Sequence, residues 1–150
     1  MTKRVAAREI AVHLIYELDF SGRSAQELLD EALVPERFHE LAEEEELYRQ
    51  FPGEKQLAYI RELVTGVERH RAELDECIQR YAVGWSVNRI PKVAAAILRV
   101  AMYEVRYCPD VPNNAAISAA VELAKGYEDE KVVSFLNGIL GSFSRDEAAQ

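Results

Sequence analysis

The sequence has few of the residues from which disulfide frameworks and metal sites are built. Its 150 residues include only two cysteines, Cys77 and Cys108, which lie far apart and show neither CxxC nor metal-type spacing. The three histidines, His13, His39 and His70, fall in separate predicted elements, without a second ligand at metal-binding spacing. We therefore expect two reduced thiols in the core, no disulfide, no metal site and no cofactor.

A long apolar run is missing as well. The N-terminus begins with basic residues, but Glu9, His13 and Glu17 interrupt its apolar side chains, so it lacks the apolar segment of a signal peptide. The most apolar stretch, near residues 93–103, is shorter than the roughly 20 residues that cross a bilayer. We expect a cytoplasmic protein that makes no contact with a membrane.

Motifs that carry catalysis are absent from the sequence. It contains no GxxxxGK phosphate loop, no GxGxxG after a strand and no GxSxG elbow. Gly138 and Gly141 lie in an apolar helical stretch, where close helix packing explains them better than a phosphate cradle does. Nothing in these motifs supports catalytic residues, and their absence alone leaves open whether the protein is an enzyme.

Positive charge is scarce, with 18 lysines and arginines against 26 acidic residues and a net charge of −8. This balance argues against a protein that coats nucleic acid non-specifically, because phosphate contacts need local Lys and Arg. The N-terminal end is the exception, since Lys3, Arg4 and Arg8 project from the start of a predicted helix and Tyr16 follows as a stacking partner for an unpaired base. Basic N-termini are common, so these residues alone leave open whether this end binds RNA.

The stretch from Trp85 to Glu104 predicts the central helix of an all-α domain. Between residues 93 and 105 only Arg99 and Glu104 are charged, and the apolar side chains point in nearly every direction around a helix axis. A helix that is apolar on all sides is a buried one. We expect the other helices to pack around it.

Periodicity and capping residues place the remaining helices. The first, from about residue 3 to residue 20, carries two apolar faces and is expected to serve two packing neighbours. Residues 57–81 predict either one long helix or two helices with a break near residues 66–71. Helix starts are predicted from caps at Ser24, Asn88, Asn114 and Asp129. About seven helices then fill one domain that spans residues 1–150.

Residues 36–53 form a strongly acidic segment. Glu43 to Glu46 stand in one run, and Phe38, Leu41 and Tyr48 are the few apolar anchors. A charge run of this kind is usually a solvated face rather than a binding site. We expect a loosely attached helix or a mobile excursion from the domain.

The chain resembles the NusB family of transcription antitermination factors along almost its whole length. The resemblance is carried by the first helix, AREIAVHLIYELDF, and by later blocks in the same order as in the family, among them ILRVAMYE, AVELAK and FLNGIL. It implies an all-α fold of about seven helices in two bundles that share the N-terminal helix. That arrangement agrees with the two apolar faces of the first helix.

The resemblance also implies a function and partners. Family members pair with NusE, a small-subunit ribosomal protein, and together bind the boxA element of nascent RNA. With other Nus factors, the complex helps the RNA polymerase elongation complex pass terminators in ribosomal RNA operons. Family members are not enzymes, and some of them form homodimers.

Site residues follow from the basic end and from positions that match the family. The RNA-binding candidates are Lys3, Arg4, Arg8, Tyr16, Tyr127, Lys131 and Phe135. The partner-binding candidates are Arg89, Ala94 and Arg99. Ala94 replaces an acidic residue often found in the family, and the usual Asn-Glu before the AVELAK block reads Ser118-Ala119.

Two alternatives remain open. NusB-like domains also precede the catalytic domain of ribosomal RNA cytosine methyltransferases, so the chain is alternatively an RNA-binding accessory domain of that kind. The replacements at Ser118, Ala119 and Ala94 allow a second alternative, a protein-only adaptor that has lost RNA binding.

Overall fold

The structure is a computed structural model that describes residues 3–149. Within these residues it contains eight α-helices, two short 3-10 helices and no β-strand. The α-helices are α1 (Lys3–Ser21), α2 (Ala25–Ala32), α3 (Pro35–Leu41), α4 (Glu54–Arg69), α5 (Arg71–Tyr81), α6 (Lys92–Tyr107), α7 (Asn113–Lys125) and α8 (Glu130–Ala149). The 3-10 helices are Glu46–Arg49 and Val87–Arg89. The predicted all-α class is confirmed.

The chain divides into two compact units, each described by itself below. Unit 1 extends to Glu68 and contains α1 to α4, and unit 2 starts at Arg69 and contains α5 to α8. Helix α4 ends at Arg69 and α5 begins at Arg71. Of the two alternatives for residues 57–81, two helices with a break is therefore correct, and the break is at His70.

In unit 1, the apolar side of α1 packs on α2. Ile10, Leu14 and Ile15 of α1 are buried, as are Leu28 and Leu29 of α2. Helix α1 ends where Gly22 takes a positive φ of 68°, a backbone conformation that glycine adopts without steric cost. The predicted capping box then starts α2, because Ser24 accepts a hydrogen bond from Glu27 N and the Glu27 side chain accepts one from Ser24 N.

The acidic segment is anchored to unit 1 by aromatic side chains. Phe38 of α3 is buried, and its ring lies 5.0 Å from the rings of both Tyr48 and Phe51. The Tyr48 hydroxyl lies 2.7 Å from His13 Nδ1, and burial raises the pKa of Tyr48. Aromatic rings spaced irregularly along this acidic sequence therefore share one core, whereas the mobility of the segment stays a prediction.

In unit 2, α6 is the central helix that the sequence predicts. Every residue from Ala94 to Glu104 is buried, including the two charged ones, and α5, α7 and α8 all pack on this helix. Both cysteines are buried thiols, as the sequence predicts. The apolar residues on every side of α6 are therefore packed against protein, because neighbouring helices cover the whole helix.

Two of the four predicted caps are confirmed. Asp129 accepts a hydrogen bond from Val132 N at the start of α8, and Ser24 caps α2. The caps at Asn88 and Asn114 are wrong, since α6 begins after Pro91 and α7 begins after Pro112. The residue before a proline is driven towards extended backbone, so neither helix extends back beyond its proline. Asn88 lies in a 3-10 helix, and Asn114 lies inside α7.

A hydrogen-bonded network joins α5, α6 and α8 within unit 2. The Glu73 carboxylate accepts hydrogen bonds from the Tyr107 hydroxyl at 2.6 and 2.7 Å and from Arg106 Nη1 at 2.6 Å. Arg106 also pairs with Glu147 of α8, and the His70 ring stacks on Tyr107 with centroids 4.2 Å apart. The Tyr107 hydroxyl, more than the neighbouring Arg106, lowers the pKa of Glu73 below its usual 4.5, and the same contact raises the pKa of Tyr107 to about 12.

This network makes stability depend on pH in acid. Because the pKa of Glu73 is lower in the folded protein, its contribution is fully present above pH 4.5 and is lost as the pH falls through the folded value. We expect Glu73→Gln to lower the free energy of unfolding at pH 7 by about 1 kcal/mol or less, since the carboxylate is partly exposed. The difference in the free energy of unfolding between Glu73→Gln and wild type should be smaller when urea unfolding is repeated at pH 3. An equal deficit at both pH values would contradict this assignment, and the exposed Glu76→Gln serves as the control.

Candidate nucleic-acid interface

The basic end of α1 lies on the surface of unit 1. Lys3 is exposed, and Arg4 and Arg8 are partly exposed. The Arg4 guanidinium carbon lies 4.0 Å from the centroid of the Tyr59 ring on α4, which is cation–π geometry. Because the donors of a guanidinium lie in its plane, stacking one face on a ring leaves those N–H edges free to bind a phosphate oxygen. Tyr59 therefore holds the Arg4 guanidinium in one orientation, and RNA binding by Arg4 stays a prediction.

An exposed aromatic pair follows on the same helix. Tyr16 is 37% exposed and Phe20 is 60% exposed, and their ring centroids are 4.9 Å apart. Exposed aromatic rings beside cationic side chains are typical of surfaces that bind single-stranded nucleic acid, because every base has a face that stacks. Sequence reasoning singled out Tyr16 but missed Phe20. The spacing of four residues, one helical turn, was the signal that pairs them.

The candidates on α8 line a groove in unit 2. Lys131 and Phe135 lie there with Tyr81, Val83 and Gly138. Phe135 is half-buried, and its ring lies 5.7 Å from that of Trp85. Tyr127 lies in the turn between α7 and α8 and is 38% exposed, but it is not part of the groove lining. The structure thus brings Lys131 and Phe135 together in unit 2, whereas Lys3, Arg4, Arg8 and Tyr16 belong to unit 1.

Trp85 is exposed, although the sequence placed it in the buried central stretch. Its side chain is 48% exposed, and the neighbouring Val83 is 87% exposed. Gln79 holds this loop, because its Nε2 donates to Trp85 O at 2.9 Å and its Oε1 accepts from Val87 N at 3.1 Å. Gly84, with a φ of 85°, forms the turn between Val83 and Trp85. Gly84, flanked by Val83 and Trp85 and followed by the predicted cap at Asn88, was the available signal that Trp85 lies in a loop.

The three partner-binding candidates lie in different environments. Arg89 is exposed at the end of a 3-10 helix. Ala94 and Arg99 are both buried in α6, and Arg99 Nε donates to Asp75 Oδ1 at 2.7 Å. Because both side chains are buried, neither is exposed for direct contact with a partner, and their role in partner binding stays a prediction. A residue that matches a position in the family is located in the sequence by that match, but the match does not show whether its side chain is exposed.

Residues 3–149 contain neither a cluster of metal ligands nor a membrane-spanning helix. Among them, no three His, Cys, Asp or Glu side chains are grouped closely enough to hold a metal ion. Within the same range, no helix has both the length and the apolar character needed to span a bilayer.

Comparison with known proteins decides the family. The NusB family profile matches residues 5–145 of the chain. The transcription antitermination protein NusB of Bacillus velezensis is 35% identical over 144 residues, which cover 96% of this chain and 97% of that protein. The chain belongs to the NusB family. Its relative of the same name from Acetivibrio thermocellus is 41% identical over 138 residues, covering 92% of this chain and 86% of the relative.

Solved structures agree with this membership. A crystal form of T. maritima NusB matches with a TM-score of 0.81 and 26% identity, covering 97% of this chain and 93% of that one. A complex of the antitermination factors NusB and NusE with double-stranded RNA matches with a TM-score of 0.76 and 27% identity, covering 97% and 98%. The NusB-like fold implied by the sequence blocks is therefore confirmed.

Proposed function

We propose that this chain is a transcription antitermination factor that binds boxA-type single-stranded RNA together with NusE. In the cytoplasm, the complex promotes read-through of ribosomal RNA operons by the RNA polymerase elongation complex with its other Nus factors. The chain acts as an adaptor, without a cofactor and without catalysis of its own. The observation that carries the proposal is membership of the NusB family, with a complex of NusB and NusE with double-stranded RNA among the solved structures of the same fold.

The RNA contacts are assigned to two kinds of side chain on α1. Lys3, Arg4 and Arg8 bind phosphate oxygens, and Tyr16 and Phe20 stack on bases that are not paired. The positions of Lys3, the Arg4–Tyr59 contact and the exposed aromatic pair support this assignment. The stacking surface favours single-stranded RNA, because a base in a duplex offers its faces only to its neighbours.

The need for a partner follows from charge. Three cations at one end of a protein with a net charge of −8 give a small attractive patch on a repulsive body. Such a patch provides few of the phosphate contacts that make RNA affinity high at physiological salt. We assign the remaining contacts to NusE, so that affinity for RNA is expected to be modest without it.

The exposed residues of unit 2 are assigned to the edge of the same assembly. Trp85, Phe135 and Lys131 form one surface, and Arg89 is exposed a few residues after Trp85. Aromatic and arginine residues are enriched at interfaces that carry binding energy. We propose that they border the RNA or NusE, with Tyr127 exposed nearby in the chain.

The proposed function is tested by titrating labelled RNA with the protein in the presence and absence of NusE. Single-stranded boxA RNA should bind at least 10-fold more tightly with NusE than without it, which corresponds to about 1.4 kcal/mol. The same sequence as a duplex should bind more weakly than the single strand, and a scrambled strand is the control for sequence. Equal or tighter binding of the duplex would overturn the single-strand assignment.

A protein-only adaptor is the second candidate, because Ser118 and Ala119 replace residues usual in the family. A protein-only adaptor is expected to bind NusE with the same affinity whether or not boxA RNA is present. The same titration distinguishes the two, since the complex with NusE can be measured by light scattering before RNA is added.

A further inference from the structure

A cleft in unit 1 opens between the start of α1 and the connector that leads into α4. Its volume is about 520 Å³, within the range of small-molecule sites. Its apolar lining consists of Ala6, Ala7, Ile10, Leu47, Phe51 and Pro52. The Phe51 ring also packs edge-on against Phe38, so one wall of the cleft is a fixed aromatic ring. A flat apolar group fits this lining.

Gln56, at the start of α4, supplies an unusual polar group in the same cleft. Within residues 3–149, its Oε1 is a buried side-chain acceptor without a hydrogen-bond partner. Leaving such an acceptor unsatisfied lowers stability, so native structures rarely retain one without a reason. A rotation of the Gln56 carboxamide into the cleft presents this oxygen to a bound N–H group and recovers that stability.

The charges at the cleft favour an anionic ligand. Lys3 and Arg49 both line it, and within residues 3–149 neither side chain forms an ion pair. Glu46 also lines the cleft and opposes them, and it follows the acidic run 43–45. Because two cations face one carboxylate, the electrostatic potential is positive on the Lys3 side of the cleft, next to Arg4 and the basic end of α1. This side of the cleft therefore attracts an anion.

We propose that this cleft receives one unpaired nucleobase of the bound RNA strand. The proposal rests on the proposed function, because Lys3 belongs both to the cleft and to the basic end of α1. The base lies against Phe51, an N–H group on its pairing edge donates to Gln56 Oε1, and its phosphate lies between Lys3 and Arg49. Every base has such an N–H group, so the cleft selects unpaired over paired bases rather than one base over another. A peptide side chain from a protein partner fits the apolar lining, but it does not use the two cations.

The first test fills the cleft and removes single bases from the RNA. Ala6→Leu places a larger side chain in the cleft, and Ala58→Leu, on the exposed side of α4, is the matched control. Binding of boxA RNA with NusE is measured for strands that carry one abasic nucleotide at each position in turn. For wild type, we expect an abasic nucleotide at one position of the strand to weaken binding about 10-fold. Ala6→Leu should weaken binding of the intact strand by a similar factor. The substitution and that abasic nucleotide together should weaken binding no more than either change alone. Ala58→Leu should bind each strand as wild type does.

The outcomes separate this inference from the proposed function. If wild type binds boxA RNA but losses from Ala6→Leu and from every abasic position simply multiply, the cleft holds no base and the function stands. If wild type does not bind boxA RNA at all, the proposed function itself fails. A loss of NusE affinity in Ala6→Leu without any change in RNA affinity would assign the cleft to the protein partner and overturn the inference.

A second variant tests the hydrogen bond without filling the cleft. Gln56→Leu keeps a similar side-chain volume and removes the buried acceptor. We expect its melting temperature to be equal to or higher than that of wild type, while affinity for boxA RNA falls several-fold. A merely structural glutamine would give the opposite pattern, with lower stability and unchanged RNA affinity.

Discussion

Replacing Asp75 with alanine is expected to lower the free energy of unfolding by about 3 kcal/mol, because it removes the carboxylate that pairs with the buried guanidinium of Arg99. Arg99 Nε lies 2.7 Å from Asp75 Oδ1, and its Nη2 lies 3.4 Å from Oδ2. The Arg99 side chain is only 3% exposed, whereas that of Asp75 is 28% exposed. The partly exposed carboxylate of Asp75 therefore neutralises the Arg99 guanidinium, which is shielded from water.

Urea unfolding at pH 7 measures this effect, and α5 supplies a matched control. Glu76, the next residue, pairs with Arg80 at 3.7 Å, but both side chains are more than half exposed. Glu76→Ala should therefore change the free energy of unfolding by no more than about 0.5 kcal/mol. Equal losses for the two variants would show that Arg99 is not held by Asp75.

A double variant separates the ion pair from general packing. Asp75→Ala with Arg99→Met removes both charges and leaves an unbranched apolar side chain in α6. We expect it to regain most of the stability lost in Asp75→Ala, since replacing a buried pair by apolar residues is often neutral. A double variant as unstable as the single one would assign the loss to other contacts of Asp75, among them its ion pair with Arg71.

The central helix illustrates what the sequence was able to predict. Apolar residues on every side of 93–105 predicted burial, and α6 is buried from Ala94 to Glu104. The same pattern did not reveal the environment of Arg99, which pairs with a residue 24 positions earlier in the chain. Periodicity reports the faces of one helix, but a pair between two helices depends on how they pack.

The same distinction explains the acidic segment. Composition predicted a solvated segment, and its glutamates 43–46 are indeed exposed. Its attachment depends on contacts of Phe38 with Tyr48 and Phe51, and of Tyr48 with His13, 35 positions earlier. The sequence identified Phe38 and Tyr48 as anchors but not the residues they contact, because these contacts follow no helical or strand period.

The candidate site was predictable only in its local part. Lys3, Arg4, Arg8 and Tyr16 lie on one helix, so their spacing was visible in the sequence. The ring beneath Arg4 comes from Tyr59, and the cleft brings Lys3 together with Gln56, more than 50 positions later. Trp85 was misplaced because an apolar side chain in a loop has the same composition as one in a core.

Removing the two arginines of α1 is expected to have the largest effect on RNA binding. Arg4→Ala/Arg8→Ala should weaken the binding of single-stranded boxA RNA in the presence of NusE by about 100-fold, since each charged hydrogen bond to phosphate is worth about 1.5 kcal/mol. The plot of log affinity against log salt should become shallower by about 1.4, because each phosphate contact with a single strand contributes about 0.7. Fluorescence anisotropy across a series of salt concentrations gives both quantities.

The control for this double variant removes the same charge elsewhere in unit 1. Arg23 and Arg61 each form an exposed ion pair, with Glu31 and Asp30 respectively. Arg23→Ala/Arg61→Ala should leave the salt slope within about 0.3 of the wild-type value, because long-range charge alone is screened over about 10 Å at 0.1 M salt. If both double variants reduce the affinity and the slope equally, the net charge of the protein governs RNA binding. A loss confined to the α1 pair instead requires direct phosphate contacts at Arg4 and Arg8, since only contacts release counterions from the strand.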